Sequence, residues 1–295
     1  MKVCGFCIVK DAVKYDYPVV EAISSILPLC DKVIVSVGDC DDGTRELIAG
    51  IGDEKIEIVD SVWDSTLKKG GKVLSAETNK VLDIVPGEYH WIFNIQADEV
   101  VHERYWPEIR QSMKTNLDDR KIDGLIFRYR HFFGTYDYVA DSRRWYRHEI
   151  RVVRNDSSIR SWNDAQGFRK RDGSKIRGVS SGGEIYHYGW VRPPKLMKEK
   201  VDGAKNYWSS SSKHIRVMDQ EGEVFVYENA YDSLSRFRGT HPAVMQDRVA
   251  RIDWRPDLST QTKRMSLRHR MLYWIEKKFG LRLFENRHFI ECKGK

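Results

Sequence analysis

The stretch Tyr89–Val101 reads Tyr-His-Trp-Ile-Phe-Asn-Ile-Gln-Ala-Asp-Glu-Val-Val. Its first part is an apolar run of aromatic and β-branched residues, which is typical of a buried strand. The run ends abruptly in Gln96, Asp98 and Glu99. Acidic side chains directly after a buried strand are costly unless a cation or hydrogen-bond donors compensate them. The stretch therefore predicts a divalent metal site at the end of a central strand.

Three more apolar runs precede this strand and begin near residues 3, 32 and 55. Apolar residues recur at helical spacing between these runs, in residues 19–27, 44–51 and 72–85. Strands that alternate with helices predict βαβ units and a mostly parallel, right-handed wound sheet. The expected fold class is therefore α/β, with helices flanking the sheet.

Two acidic clusters follow predicted strands. Asp39, Asp41 and Asp42 come after the second strand, and Asp98 and Glu99 come after the fourth. Ligands of a parallel sheet bind beyond the carboxyl ends of its strands, which is where both clusters fall. Clustered carboxylate oxygens suit Mg²⁺ or Mn²⁺. A turn that holds several aspartates can also be a simple helix cap, so the first cluster alone decides nothing.

The order of motifs resembles the N-terminal half of family-2 glycosyltransferases of the GT-A fold. The motifs are a helix with Glu21, an Asp-Gly-Thr turn at 42–44, a helix with Asn79, Gly-Glu-Tyr at 87–89 and Ala-Asp-Glu at 97–99. The resemblance covers residues 3–103 and continues more weakly to about residue 200. It implies a GT-A-like sheet, a nucleotide-sugar donor and a divalent metal ion, Mn²⁺ or Mg²⁺.

The resemblance also implies roles for individual residues. Asp39 and Asp42 match the turn that contacts the base and ribose of the donor. The Asp-x-Asp motif of the family reads Gln96-Ala-Asp98 here. Because Gln96 lacks the charge of the first aspartate, we expect Asp98 to carry most of the binding of metal and diphosphate, with Glu99 as a helper.

A late histidine often completes the metal site in this family, and His187 is our candidate. Three other histidines are weaker candidates: His131, His148 and His241. An inverting transfer needs a carboxylate that takes the proton of the acceptor hydroxyl. We choose Asp164 for this role and hold Asp141 and Glu184 in reserve. Basic residues near the pocket could neutralise the leaving diphosphate: Arg151, Arg192 and Lys198.

We expect three parts of the chain. Residues 1–103 form the nucleotide-sugar-binding half, and residues 104–260 form the acceptor-binding and catalytic half of the same domain. In the second half, residues 103–117 look helical, whereas 124–130 and 145–154 look like strands. Residues 261–295 form a basic helical tail.

The net charge of +7 belongs to this tail. Residues 263–295 hold ten Lys or Arg against three Glu, so the rest of the chain sums to zero. Helical spacing over 262–279 places five apolar residues on one side: Leu267, Met271, Trp274, Ile275 and Phe279. Such a helix either packs on the body or contacts a membrane surface peripherally, where a saccharide or lipid-linked acceptor would be found.

The location expected from the sequence is the cytoplasm, with or without contact at the inner face of the membrane. No apolar run is long enough to span a bilayer, and the N-terminus lacks the pattern of a signal peptide. Cys4 and Cys7 have C-x-x-C spacing inside a predicted strand, so buried thiols are expected rather than a redox or zinc site.

Other classes of protein fit less well. No P-loop and no G-x-G-x-x-G motif occurs. A sugar-phosphate nucleotidyltransferase would use the same sheet, but its Gly-rich basic loop is not found at Lys10–Lys14. A nucleic-acid-binding protein could use the basic tail with Tyr273 and Trp274. The uncharged body and the acidic sheet edge argue against nucleic acid as a partner.

Overall fold

The computed structural model describes residues 1–67, 70–205, 207, 220–285 and 287–294. Its strands are β1 Val3–Val9, β2 Lys32–Gly38, β3 Ile56–Ser61, β4 Trp91–Asn94, β5 Glu99–Val101, β6 Gly124–Phe133, β7 Thr135–Ala140, β8 His148–Arg154, β9 Ile159–Trp162, β10 Gly167–Lys170, β11 Arg177–Trp190, β12 Leu234–Arg236 and β13 Ile290–Glu291. Its helices are α1 Val19–Ile26, α2 Thr44–Ala49, α3 Lys72–Ile84, α4 Trp106–Thr115, α5 Pro194–Ala204, α6 Gln246–Ala250 and α7 Leu267–Phe279. Short 3₁₀ turns lie at Leu27–Leu29, Glu103–Tyr105, Tyr227–Asn229 and Ala243–Met245.

Most strands belong to one sheet in the order β12-β7-β6-β8-β4-β1-β2-β3. Strands β3, β2, β1 and β4 are parallel neighbours, and β8 joins β4 in antiparallel orientation. Strand β11 runs parallel to β6 and also pairs antiparallel with the short β5. The strands of both halves of the chain therefore share one sheet, wound in its first half and mixed in its second.

Helices cover both faces of the parallel part, which is why its strands are apolar on both sides. On one face, α1 and α4 contribute Ile23 and Met113 to a cluster with Val35. On the other face, α3 contributes Val81 to a cluster with Phe6. Together these layers confirm the predicted α/β class with a wound sheet flanked by helices.

Strand geometry also accounts for the C-x-x-C spacing in β1. Side chains three residues apart on a strand point to opposite faces. Cys7 packs in the cluster with α1, whereas Cys4 packs in the cluster with α3. All five cysteines are free thiols, and neither Cys4 nor Cys7 is exposed.

The boundaries of the elements follow the sequence pattern closely. The first four predicted strands begin at Val3, Lys32, Ile56 and Trp91. The predicted basic helix begins later than expected, at Leu267, because Ser266 accepts a hydrogen bond from the backbone N–H of His269 and caps it. In the described part of the chain, no helix has the length and apolar character that crossing a bilayer requires.

Candidate metal and phosphate site

Strands β4, β5 and β11 bring Asp98 and His187 together. After β4 the chain turns and enters β5, whose pairing with β11 places Glu99 opposite His187. The N–H of Tyr188 donates to the Asp98 carbonyl oxygen at 2.8 Å and extends this ladder. As a result, Asp98 Oδ2 lies 3.7 Å from His187 Nε2, and both side chains are largely buried.

The neighbouring His131 sets the tautomer of His187. His131 is fully buried on β6, and its Nε2 donates to the carbonyl oxygen of Tyr146 at 2.8 Å. His131 Nδ1 is then the acceptor for His187 Nδ1–H at 3.1 Å. Burial lowers the pKa of both imidazoles, so both are neutral at pH 7. The hydrogen-bond network therefore leaves a lone pair on His187 Nε2, facing Asp98.

Gly189 keeps open the space that these two atoms face. A Cβ atom at residue 189 would lie 2.6 Å from Asp98 Oδ2 and 2.7 Å from His187 Nε2. A carboxylate oxygen and an imidazole lone pair repel each other unless a cation or a proton lies between them. The residues present therefore fit a divalent cation such as Mn²⁺, for which carboxylate oxygen and imidazole nitrogen are both ligands.

Two cationic side chains also lie near Asp98. Lys200 on α5 lies 3.5 Å from Asp98 Oδ2 and donates to the Gly189 carbonyl oxygen at 2.7 Å. Arg192, which is fully buried, donates from Nη1 to the same carbonyl oxygen at 2.7 Å and lies over the ring of Tyr17. Its Nε and Nη2 are buried with no partner among the described residues. Buried donors of this kind need an acceptor, and a phosphate oxygen would supply one.

The charges at this site depend on one another. Burial alone would raise the pKa of Asp98, but electrostatic interactions with His187, Lys200 and Arg192 outweigh burial and bring it to about 2. Burial, together with repulsion from Arg192, lowers the pKa of Lys200 to about 7. Asp98 is therefore an anion at neutral pH, while Lys200 is close to half protonated. A bound anion would favour the charged form of Lys200.

Glu99 points into a different environment from Asp98. Its carboxylate is fully buried and pairs with Arg151 through two hydrogen bonds of 2.7 and 2.8 Å. Tyr129 O–H donates to Oε1 at 2.7 Å, and the N–H of Gln96 donates to Oε2 at 3.2 Å. Both oxygens of Glu99 are thus occupied by protein donors, and Arg151 is likewise taken up by Glu99.

Gln96 ties the end of β4 to the turn that carries Asp164. Gln96 Nε2 donates to the Ala165 carbonyl oxygen at 3.3 Å, which places the turn at the same edge of the sheet as Asp98. Asp164 itself accepts a hydrogen bond of 3.4 Å from Gln166 N–H. The nearby Glu149 is buried, which raises its pKa to about 8, and it accepts from Gln166 Nε2 at 2.9 Å. Two carboxyl groups, those of Asp164 and Glu149, therefore accept hydrogen bonds from Gln166.

Asp42 and Asp39 of the acidic turn after β2 have different roles. Asp42 accepts from Thr44 Oγ1–H at 2.6 Å and from the Lys14 N–H at 2.8 Å, so both of its oxygens hold loops together. Asp39 accepts from Lys10 Nζ at 2.8 Å and from the Trp63 N–H at 3.0 Å, both at Oδ1. Because its side chain is about half exposed, Asp39 can accept further hydrogen bonds from a ligand.

Ligand atoms of Asp11, Cys40 and Asp42 also approach one another within 4.8 Å. The oxygens of Asp42 are already engaged by Thr44 and Lys14. Burial raises the pKa of the Cys40 thiol, so it is not a thiolate at neutral pH. This cluster is a poorer donor set for a cation than Asp98 and His187.

The other candidate residues from the sequence make contacts of their own. Asp141 accepts from Ser233 and Tyr273, and Glu184 pairs with Arg130. Lys198 pairs with Asp202, which lies one turn further along α5. Two other histidines also stand apart: His241 hydrogen-bonds Tyr188, and His148 lies on β8.

Sequence reasoning missed Gly189, Lys200 and the orienting role of His131. The Tyr-Gly-Trp sequence at 188–190, directly after His187, is the signal that could have pointed to Gly189. Helical spacing could have separated Lys200 from the predicted Lys198, since α5 places the two side chains on different parts of the helix surface.

Neither a family model nor a curated protein matches the chain. Several solved structures align with part of the chain, among them the following three. Glucosyl-3-phosphoglycerate synthase from Mycobacterium tuberculosis, with Mn²⁺, uridine diphosphate and phosphoglyceric acid, is 15% identical over 44% of this chain and 43% of that chain, with a TM-score of 0.31. S. aureus TarS is 13% identical over 76% of this chain and 41% of that chain, with a TM-score of 0.38.

The third is 4-diphosphocytidyl-2C-methyl-D-erythritolsynthase from Anaerococcus prevotii, 10% identical over 52% of this chain and 70% of that chain, with a TM-score of 0.33. The chain spans less than half the length of the first two proteins. At these identities and TM-scores the alignments add no support for a particular activity, which depends on the site itself.

Proposed function

We propose that the chain is a metal-dependent glycosyltransferase that moves a sugar from a nucleoside diphosphate to an acceptor hydroxyl, with inversion. One observation carries the proposal. Asp98 Oδ2 and His187 Nε2 face a common space kept open by Gly189, and Arg192, which donates to the Gly189 carbonyl oxygen, has two buried donors that pair with no described residue. A site that combines cation ligands with anion ligands suits a metal-bound diphosphate.

Asp98 and His187 would hold the metal, which supplies positive charge next to the diphosphate when it is bound. Arg192 and Lys200 would bind diphosphate oxygens, because Nε and Nη2 of Arg192 meet no acceptor in the described part of the chain and Lys200 gains its proton beside an anion. Glu99 has no place among the ligands in this proposal, since Arg151 and Tyr129 occupy its oxygens.

Asp39 would accept hydrogen bonds from the nucleoside, and Asp42 would shape the turn that presents it. Asp164 would take the proton of the acceptor hydroxyl as its oxygen attacks the anomeric carbon. The bond from that carbon to the diphosphate oxygen breaks, and its electron pair leaves with the diphosphate. Gln96 would position the Asp164 turn through its hydrogen bond to Ala165 rather than bind metal.

Substituting Gly189 by Ala tests the metal site without replacing either ligand residue. The new methyl group would lie within 2.7 Å of Asp98 Oδ2 and His187 Nε2, where the cation is expected. We expect Mn²⁺ to stabilise wild-type protein in a thermal-shift screen with UDP-, GDP-, CMP- and dTDP-sugars, and Gly189→Ala to lose this response. Gly87→Ala, where a Cβ meets nothing within 4 Å, is the matched control.

Equal Mn²⁺ responses in Gly189→Ala and wild type would place the cation elsewhere and overturn the site. Analysis of the products separates the two reactions that fit a metal-bound diphosphate. Release of a nucleoside diphosphate supports sugar transfer. Release of pyrophosphate from a nucleoside triphosphate and a sugar phosphate supports nucleotidyl transfer instead.

A second prediction concerns the base. Asp164→Asn should lower turnover by roughly 10² to 10⁴, the usual contribution of general base catalysis, and leave donor binding within a few-fold of wild type. Glu149 keeps its proton until about pH 8, so Glu149→Gln, which resembles the protonated acid, should keep turnover between pH 6 and pH 7. Pre-steady-state turnover and donor binding measured against pH check both expectations.

The pH profile distinguishes the two carboxyl groups. The ionised fraction of Glu149 rises as the pH rises through about 8. Two results together would identify Glu149 as the base and remove Asp164 from that role. Wild-type turnover would increase over this pH range, and Glu149→Gln would abolish turnover.

A further inference from the structure

The C-terminal helix α7 is attached to the body by its polar side. Glu276 lies 3.0 Å from Arg143 and 3.1 Å from Arg282, and it is largely buried. Tyr273 O–H donates to Asp141 Oδ2 at 2.6 Å, and the only buried apolar side chain of the helix is Leu272. Ion pairs and hydrogen bonds therefore fix one side of α7 on the body.

The apolar residues of α7 lie on the opposite side. At 3.6 residues per turn, Leu267, Met271, Trp274 and Lys278 form one stripe, which points away from Glu276. Leu267 is 83% exposed, Met271 57% and Trp274 54%. An amphipathic helix normally buries this stripe on its own domain. Here α7 packs on the body through its polar side and Leu272 rather than through this stripe.

Exposed apolar side chains continue beyond the helix. Phe279 contacts Trp274 edge to face at 5.8 Å, and Lys278 Nζ lies 4.8 Å from the Trp274 ring centroid. Leu281 is 56% exposed and Phe284 is 82% exposed. We call the surface formed by Leu267, Met271, Trp274 and Phe279 the α7 surface. So many exposed large apolar side chains close together mark an interaction site.

Basic side chains flank the stripe on both edges. On the helix surface Arg268 lies on one edge and Arg270 on the other, both exposed, whereas Lys277 beside Arg270 pairs with Asp141 of the body at 3.1 Å. Acidic neighbours are few, because Glu276 faces the body and Glu285 is paired with Arg282 and Arg287. Since residues 263–295 carry the whole net charge of +7, the α7 surface combines apolar residues with a positive rim.

We infer that the α7 surface docks the protein on an anionic lipid bilayer. The apolar stripe would enter the boundary between headgroups and acyl chains, and the basic rim would contact lipid phosphates. Exposed Trp at the edge of an apolar stripe is common at such a boundary. The inference does not depend on the proposed transferase activity, because it rests on residues outside that site.

Sedimentation of the full chain with vesicles tests this inference. We expect binding to vesicles of phosphatidylcholine with about a third phosphatidylglycerol, and weak binding to phosphatidylcholine alone. Arg270→Glu with Lys278→Glu should weaken binding at least about tenfold. Leu267→Ser with Trp274→Ser should do the same by removing apolar anchors. The matched controls are Lys114→Glu with Lys121→Glu, which reverse two exposed charges elsewhere, and Val62→Ser.

A second measurement keeps the test independent of variant folding. Lipids with brominated chains should quench the tryptophan fluorescence of the wild type, and Trp274→Phe should remove most of that quenching. Three results would each overturn the inference: equal binding of the reversal and control variants, retention on nucleic acid with no binding to vesicles, or a dimer that the Leu267 and Trp274 substitutions dissociate.

Discussion

Asp98→Asn is expected to lower sugar transfer by at least about a thousandfold and to weaken Mn²⁺ binding more than the roughly tenfold to hundredfold typical of a residue that only orients a ligand. The asparagine keeps the shape of the side chain but loses the charge that faces His187 Nε2. Titration of Mn²⁺ by electron paramagnetic resonance, in the presence of the nucleotide that the screen identifies, measures the loss directly.

His131 offers a graded comparison for this experiment. It touches no ligand in the proposed site and acts through His187 Nδ1. His131→Leu should therefore weaken Mn²⁺ binding less than Asp98→Asn does, and His131→Gln, which retains an acceptor, should recover part of the loss. Asp64→Asn removes an exposed carboxylate and serves as the matched control. Full transfer by Asp98→Asn would contradict the proposed site.

Apolar periodicity was sufficient to predict the sheet. Residues of β1, β2 and β4 are buried on both faces, and burial of this kind produces the continuous apolar runs seen in the sequence. The abrupt end of the run after Ile95 also predicted that the side chains beyond it would be polar and would lie at the sheet edge. Asp98 lies there as expected.

The role of Glu99 could not be predicted in the same way. Asp98 and Glu99 are neighbours in sequence, but consecutive residues entering a strand point to opposite sides. Glu99 meets Arg151, which lies 52 residues further along and is brought close only by the sheet. The roles of Gly189 and Lys200 could not be predicted for the same reason. Both depend on where β11 and α5 lie relative to Asp98.

Helical periodicity has a related limit in α7. It groups Leu267, Met271 and Trp274 on one side, and the structure agrees. It does not say which side meets the body. The orientation of α7 is set by Glu276 and Tyr273, whose partners Arg143 and Asp141 belong to a distant part of the chain.

The pair formed by Glu99 and Arg151 leads to the largest expected effect on stability. Arg151→Met should lower the free energy of unfolding by about 3–5 kcal/mol, because it removes the partner of a buried ion pair and leaves the Glu99 carboxyl with only Tyr129 and Gln96 as donors. Adding Glu99→Gln to Arg151→Met should restore part of the loss, since it removes the unpaired charge. Urea unfolding followed by circular dichroism measures these differences, and Arg45→Met, which breaks a half-exposed pair with Asp60, should leave the midpoint nearly unchanged.

Glu99→Gln alone separates the structural role from the metal-binding role that the sequence suggested. If Glu99 serves Arg151, the variant is less stable, but its folded fraction binds Mn²⁺ within a few-fold of wild type, because Asp98 and His187 are retained. A stable variant with Mn²⁺ affinity as poor as that of Asp98→Asn would instead make Glu99 a ligand. The side chain of Glu99 would then have to leave Arg151, which has no other carboxylate within salt-bridge distance in the described chain.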